Sequence, residues 1–257
     1  MPKIHELASY ADELLGVGAI PDYSAALNGL QLENGSEITG IVAAVDFSMR
    51  AIKGAIAAQA NLLIVHHGMF WAGPEPLIGP SYRRLRLLLE NDIAVYSSHL
   101  PLDRHDTLGN NVLLAKELGL TPAEPFARFE GIYIGTSGET EINTAELVDR
   151  VQRFAAPYNT AVRSTEVKEN RLTKRWAICT GAGASGDTLR EAAKMRIDTL
   201  IVGEGPHWTA VHAEENDLAI IYAGHYATET LGVRALAQHL ADNYGIPSSF
   251  ISAPTGL

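Results

Sequence analysis

Five side chains in three separated stretches have the types and spacing needed to hold divalent cations: His66 and His67 in LLIVHHG, Asp103 in SSHLPLDRHD, and His225 and Glu229 in GHYATETLG. Neighbouring residues of a strand point to opposite faces. His66 and His67 can therefore reach one site only if the backbone leaves strand geometry there, or if each binds a different ion of a closely spaced pair; the second route suits a dinuclear centre. His225 and Glu229 stand at i and i+4, so on a helix both emerge on one face, about 5–6 Å apart. Imidazole and carboxylate without thiolate suit zinc, iron, manganese or nickel better than copper(I) or an iron–sulfur cluster. Asp103 and Glu229 are the natural bridging groups, since a carboxylate has two oxygens to share between two ions. His99 is placed to orient a ligand by hydrogen bonding or to relay a proton. His105, His207 and His212 read as surface or packing residues, and His5 and His239 lie in amphipathic helices.

Other motifs carry less chemistry. CTGAGASGD, Cys179 to Asp187, follows a strand and opens a helix, so its N–H groups could cradle a phosphate; it matches no complete nucleotide-binding pattern, and a tight strand-to-helix turn accounts for it. Asn28-Gly-Leu-Gln31 and Asn34-Gly35 carry turn chemistry with no catalytic demand attached. Trp71 and Trp208 read as core or pocket walls, and Gly68 as the residue that lets the chain turn sharply after the histidines.

The elements that must position these groups follow from hydrophobic spacing. Apolar runs at Ile41–Val45, Leu62–Val65, Ile93–Ser98, Ile132–Gly135, Trp176–Cys179, Thr199–Val202 and Ala219–Ala223 predict buried strands. Helical spacing covers Ser48–Ala60, Tyr82–Asn91, Asn110–Leu118, Thr144–Ala155, Asp187–Arg196 and Thr228–Asn243, with Asn110 and Asn111 marking a helix start. Such alternation predicts an α/β fold with largely parallel sheets flanked by helices. Each candidate ligand follows the carboxyl end of a strand, the edge where open α/β sheets bind ligands. ANLLIVHHGMFW (Ala60–Trp71) is echoed by IDTLIVGEGPHW (Ile197–Trp208), which suggests two related α/β units. The prolines of TPAEPFAR, Thr121–Arg128, suggest a boundary. The expected division is a metal-binding domain of residues 1–123 plus 224–257 and an inserted α/β domain of residues 124–223, with the C-terminal helix returning to the first domain so that His225 and Glu229 can meet His66.

Composition bounds the rest. A chain of 257 residues, 46% hydrophobic, can bury roughly three quarters of its unfolded surface without staples. The single cysteine, Cys179, excludes an internal disulfide and a thiolate metal cluster and suits a reducing compartment. No apolar run approaches the roughly 20 residues of a membrane span, and the first residues read as an amphipathic helix and not as an export signal; a soluble cytoplasmic protein is expected. A formal net charge of −10 argues against nucleic acid as partner. The basic stretch Lys168, Arg171, Lys174 and Arg175 is interrupted by Glu166 and Glu169 and reads as a solvated loop.

NGLQ at Asn28–Gln31, LLIVHHGMFW at Leu62–Trp71, SSHLPLD at Ser97–Asp103 with the following GNN, the CTGAG turn, VGEGPHW and GHYATETLG together resemble the NIF3-like family, also described as DUF34 or GTP cyclohydrolase 1 type 2-like. The resemblance runs nearly end to end. Carried over position by position, it puts two metal ions on His66, His67, Asp103, His225 and Glu229. It further implies a two-domain NIF3-like fold and a ring-like homohexamer with the metal centres facing an inner cavity.

The function this suggests is that of a metal-dependent hydrolase acting on a nucleotide or phosphoester, with two cations lowering the pKa of a water towards ~7. No guanine-reading motif is present to name GTP as the substrate. The other reading, from a different class, is a non-catalytic metal-binding or regulatory module whose metal centre organises an oligomer or a partner surface; a closed coordination shell would distinguish it.

Overall fold

The structure, a computed structural model, describes residues 1–71, 73 and 75–256. In chain order the elements are α1 (Ile4–Leu15), β1 (Gly29–Leu32), β2 (Ile41–Asp46), α2 (Met49–Ala57), β3 (Leu62–His67), α3 (Gly79–Glu90), β4 (Ala94–Ser97), α4 (Leu100–Asp103) and α5 (Asn110–Glu117). They continue with β5 (Glu124–Phe129), β6 (Ile132–Asn143), α6 (Thr144–Ala155), β7 (Arg163–Ser164), β8 (Leu172–Cys179), α7 (Gly186–Met195), β9 (Thr199–Val202), α8 (Trp208–Glu215) and β10 (Ala219–Tyr222). The chain ends with α9 (His225–Thr228), α10 (Thr230–Tyr244) and β11 (Ser248–Phe250). Among the described residues no helix is long and apolar enough to cross a membrane.

Two compact units result. The first comprises Met1–Leu102 and Gly232–Ala253, the second Asp103–Leu231 and Pro254–Leu257. These limits differ from the expected 1–123 plus 224–257 and 124–223 in that residues 103–123 and 224–231, with Asp103, His225 and Glu229, fall in the second unit; α5 belongs there because Leu114, Ala115 and Leu118 pack with Trp176 and Ile178 of β8. The proline-bearing stretch read as a boundary holds most of β5. Pro125 is tolerated there because β5 is an edge strand.

The first unit holds a five-stranded sheet in the order β1-β4-β3-β2-β11. β4, β3, β2 and β11 run parallel, and β1 joins antiparallel to β4. β2 and β3 are buried on both faces almost throughout, which is why their sequences are continuous apolar runs without alternation. Val42, Leu63, Val65 and Val95 meet Ala51, Ile52 and Ala55 of α2, whose N-terminus is capped by Ser48 accepting from Ala51 N. α1 buries Ile4, Leu7, Ala8, Ala11 and Leu15 at helical spacing and stops at Gly16, whose φ of 63° supplies the left-handed cap. α3, by contrast, buries only Leu88.

The second unit holds a six-stranded sheet in the order β5-β6-β8-β9-β10-β7. Here the expectation of a largely parallel sheet is corrected: β8, β9 and β10 are parallel, but β5–β6, β6–β8 and β7–β10 pair antiparallel. The cause is local, since β5 and β6 are joined by a tight turn with Glu130 and Gly131 both at positive φ (44° and 93°), and a turn that short can only reverse the strand. Strand alternation on β8 builds a core on each face. Ala177 and Cys179 pack under Leu189 and Ala192 of α7. Trp176 and Ile178 pack with Leu114 of α5 and with Leu147 and Val151 of α6.

The basic stretch is not a solvated loop throughout: Lys174 and Arg175 lie in β8. Arg171 donates to Asp217 Oδ1 at 2.9 Å and to the Asp217 and Asp198 carbonyls.

Candidate metal centre

In the first unit β3 keeps its strand pairing through His67, which lies opposite Asp46 of β2. The backbone therefore does not leave strand geometry, and the two rings converge through their side chains, with centroids 4.9 Å apart. His66 Nδ1 lies 2.9 Å from the carbonyl of Ser98. A carbonyl can only accept, so this nitrogen carries the proton and the lone pair of the neutral ring belongs to Nε2. His67 Nδ1 pairs with Asp46 Oδ1 at 2.9 Å, and His99 Nδ1 with Asp22 Oδ1 at 2.8 Å. His99 joins the pair: its centroid is 4.8 Å from that of His66 and 5.7 Å from that of His67. One ring nitrogen of each histidine lies within 4.8 Å of the other two, and all three residues are buried. Half-exposed Trp71 stands against the cluster, its ring 4.6 Å from both His67 and His99, so the reading of Trp71 as a wall applies to the imidazoles.

The NGLQ stretch proves to be the scaffold of this cluster. Gln31 accepts from Met69 N through Oε1 (2.6 Å) and donates through Nε2 to the Leu27 carbonyl (2.7 Å). A Cβ at position 68 would run into the Gln31 amide. Gly68 is thus required by close approach and not by a left-handed turn, which corrects the sequence expectation. Asn28 Nδ2 donates to Asp22 (2.8 Å), and its Oδ1 accepts from His99 N (2.7 Å). Burial alone would raise the Asp22 pKa, but the hydrogen bond and charge of His99, with bonds from Asn28 and Leu100, hold it below the usual carboxylate range.

In the second unit the acidic candidate ligands gather at the turn after β8. Asp103, at the end of α4, accepts from Asn110 Nδ2 (2.8 Å) and Thr180 Oγ1 (3.4 Å). Asn111 donates to the Asp103 and Ile134 carbonyls and accepts from Thr180 N at 2.9 Å. The two asparagines open α5, as expected, behind an N-cap at Gly109 that makes no side-chain bond, and they hold Asp103 in place. Next to Thr180, Gly181 adopts φ 61°, and a Cβ there would strike Glu229 and come within 3.4 Å of His225 Nε2. Its N–H donates to Thr228 Oγ1. The Gly-rich turn thus lets the backbone press against the His225–Glu229 pair, while Ser185 caps α7 by accepting from Thr188 N.

His225 occupies the single turn α9, and Glu229 is its C-cap before α10 begins. His225 Nε2 lies 3.2 Å from Glu229 Oε2, and its Nδ1 lies 2.8 Å from Glu204 Oε1. Burial lowers the pKa of this imidazole, but hydrogen bonds and charge from Glu229, then Glu204, outweigh that and push it up to about 9. Glu229 and Asp103 are buried carboxylates, 2% and 6% exposed. Such groups persist in a protein interior only with cations or strong donors beside them.

The structure therefore brings His66, His67 and His99 together in one unit, and Asp103, His225 and Glu229 to one corner of the other. Asp22, Asp46 and Glu204, the carboxylates that orient three of the imidazoles, were not signalled by the sequence; Asp22 lies 77 positions from its histidine. His5 and His239 keep the peripheral places expected of them, bonded to Glu33 and Tyr10.

Known proteins share this arrangement of sequence and fold. A family model described as Duf34/NIF3 (NGG1p interacting factor 3) matches residues 2–255. A protein of Deinococcus radiodurans named GTP cyclohydrolase 1 type 2 homolog is 38% identical over 98% of this chain and 94% of its own length. One of the same name from Pyrococcus abyssi is 41% identical over 98% of both. Among solved structures, protein ybgI, described as of unknown function, superposes with a TM-score of 0.88 at 35% identity, covering 99% of this chain and 100% of its own. TTHA1606 of Thermus thermophilus does so with a TM-score of 0.81 at 34% identity, covering 98% and 99%. A match that spans all but the ends of the chain makes this protein a member of the DUF34/NIF3 family.

Proposed function

We propose that this protein is a metal-dependent hydrolase of a nucleotide or phosphoester, binding two divalent cations through His66, His67, Asp103, His225 and Glu229. The observation that carries the reading is the donor chemistry of the two sets. His66, His67 and His225 each have Nδ1 against a carbonyl or carboxylate, which turns Nε2 to the ligand side, the arrangement typical of metal-binding imidazoles. Asp103 and Glu229 supply buried negative charge, and Gly181 leaves room beside Glu229 that a side chain would fill. Zinc, iron, manganese and nickel all suit such donors. When bound, a cation pair supplies an acidified water and neutralises charge on a phosphoryl or ring-carbon oxygen. The chain's own part is to fix the imidazoles, to keep bulk water from buried His66 and Glu229, and to offer His99 as a proton carrier.

The names of the Deinococcus and Pyrococcus relatives point to a nucleotide as substrate. The homohexamer implied by the family resemblance is part of the same proposal. It is supported by α3 and the residues before it, where Leu77, Ile78, Tyr82 and Leu89 are exposed apolar groups that self-association would cover. A cytoplasmic location suits the single, buried cysteine.

The test is elemental analysis and metal reconstitution, followed by turnover assays with nucleotides and phosphoesters, of the wild type beside His67→Ala and Asp103→Ala. Two cations per chain and turnover lost in both variants are expected. Equal turnover by all three proteins would sink the hydrolase, and metal binding without turnover of any substrate class would leave the non-catalytic module as the function.

A further inference from the structure

Asp22 lies outside every stretch that the metal reading uses, yet it is a four-bonded carboxylate beside the imidazole cluster. Its Oδ1 accepts from Tyr23 N at 2.7 Å and faces His99 Nδ1 at 2.8 Å. Its Oδ2 accepts from Asn28 Nδ2 at 2.8 Å and Leu100 N at 2.9 Å. The side chains of Asp22 and His99 are only 7% and 8% exposed, so water does not compete for these bonds.

The chemistry of the partners decides the proton positions. Tyr23 N and Leu100 N are backbone groups that can only donate. Asn28 has its oxygen committed to His99 N, so it turns its NH2 to Asp22. Both oxygens of Asp22 must therefore accept, and only a carboxylate does so at both. Facing an acceptor, His99 Nδ1 must carry a proton. The lone pair of the neutral ring is then on Nε2, in the cluster with His66 and His67, 4.8 and 5.7 Å away between centroids.

We propose that Asp22 is a positioning residue: it locks His99 in the Nδ1–H tautomer, so that Nε2 is held as an acceptor at the His66–His67 cluster. This assigns a task to the segment before β1, which carries no chemistry of its own, and explains why an asparagine stands at position 28. That the held nitrogen also joins His66 and His67 as a donor to a cation rests on the two-cation centre proposed above; the tautomer lock itself does not.

Asparagine at position 22 breaks the pattern. Its amide must present NH2 either to Leu100 N and Asn28 or to His99 and Tyr23 N, and the second choice satisfies the Oδ2 side while forcing His99 to accept at Nδ1. The experiment uses the full chain labelled with 15N at histidine. Two-bond 1H–15N correlation spectra at neutral pH give the tautomer of His99, assigned by its loss in His99→Gln, and calorimetric titration with Zn2+ is run in parallel. Wild type is expected to show His99 protonated at Nδ1. Asp22→Asn is expected to move the proton to Nε2 and weaken Zn2+ by about 10- to 100-fold, the usual effect of removing a carboxylate behind an imidazole. Asn28→Ala, which loosens the same loop but keeps the Asp22–His99 bond, is expected to leave the tautomer as in wild type; a purely structural role for Asp22 predicts the same spectrum for both variants. An Nε2–H form of His99 in wild type overturns the lock without recourse to any variant, as does an Asp22→Asn protein with the wild-type tautomer and unchanged titration. If wild type binds no Zn2+ but His99 shows the Nδ1–H form, the metal reading falls and the lock stands.

Discussion

Off the end of β3 the chain reads Leu63-Ile64-Val65-His66-His67-Gly68, and off the end of β9 it reads Leu200-Ile201-Val202-Gly203-Glu204-Gly205. Each strand lies between two parallel neighbours, β3 between β4 and β2, β9 between β8 and β10. The first offers imidazoles. The second has no room for one where His66 would correspond, because a Cβ on Gly203 would meet the Gly181 carbonyl and Thr228 Oγ1. At the position matching His67 it offers Glu204, which holds His225 by Nδ1. The same strand end thus supplies imidazoles in one unit and an orienting carboxylate in the other. What differs is how closely a neighbouring loop approaches the backbone.

The largest expected effect breaks this comparison at its acidic end. Glu229→Gln should weaken Zn2+ or Mn2+ by at least about 100-fold in calorimetric titration, more than loss of an outer partner does. His67→Ala should do the same and lower the stoichiometry equally. If one variant loses ions and the other keeps them all, the two strand ends do not serve the same cations. Next comes Gly181→Ala. A left-handed backbone at φ 61° and a Cβ driven into Glu229 should together cost about 2–3 kcal/mol in urea unfolding, and an unchanged midpoint would show that the turn is not pressed against the pair.

Glu204→Gln sharpens the division of labour. Glu204 is half-exposed, so the thermal midpoint should hardly move, while metal affinity falls about 10- to 100-fold; a stability loss without an affinity change would make Glu204 merely structural. The smallest effects compare the matching glycines. A Cβ on Gly205 meets the Cβ of Ala184, which is fixed in the core, whereas one on Gly68 meets the end of the flexible Gln31 side chain. Gly205→Ala should therefore cost about 1–3 kcal/mol by overpacking. Gly68→Ala should cost about 1 kcal/mol, the worth of the Gln31–Met69 hydrogen bond. The reverse order in denaturant titrations would refute this account of the two strand ends.

Much of the architecture was legible before any coordinates. The runs at Ile41–Val45, Leu62–Val65 and Thr199–Val202 coincide with β2, β3 and β9, because strands buried on both faces must be continuous apolar stretches. Short or edge strands gave no such signal. β1 and β11 have three or four residues and partial burial, and β5 carries a proline and exposed positions, so these went unread, and of the antiparallel strand β6 only the start, Ile132–Gly135, was read. The asparagines at 110 and 111 marked the start of α5 as read, but their hold on Asp103 left no local trace, because it depends on where α4 lies.

By itself, then, the chain determined which residues stand at strand ends and which share a helix turn, since periodicity and i, i+4 spacing are local consequences of backbone geometry. His66, His67, His225 and Glu229 could be picked out on that basis. Only the tertiary structure decided which atom of each ring faces its partner. The acceptors that set the tautomers, Asp46 for His67, Asp22 for His99, the Ser98 carbonyl for His66 and Glu204 for His225, come from other strands and loops. A hydrogen bond across 21 to 77 positions of chain leaves no periodic trace, because its energy depends on distances that exist only after the sheets have formed.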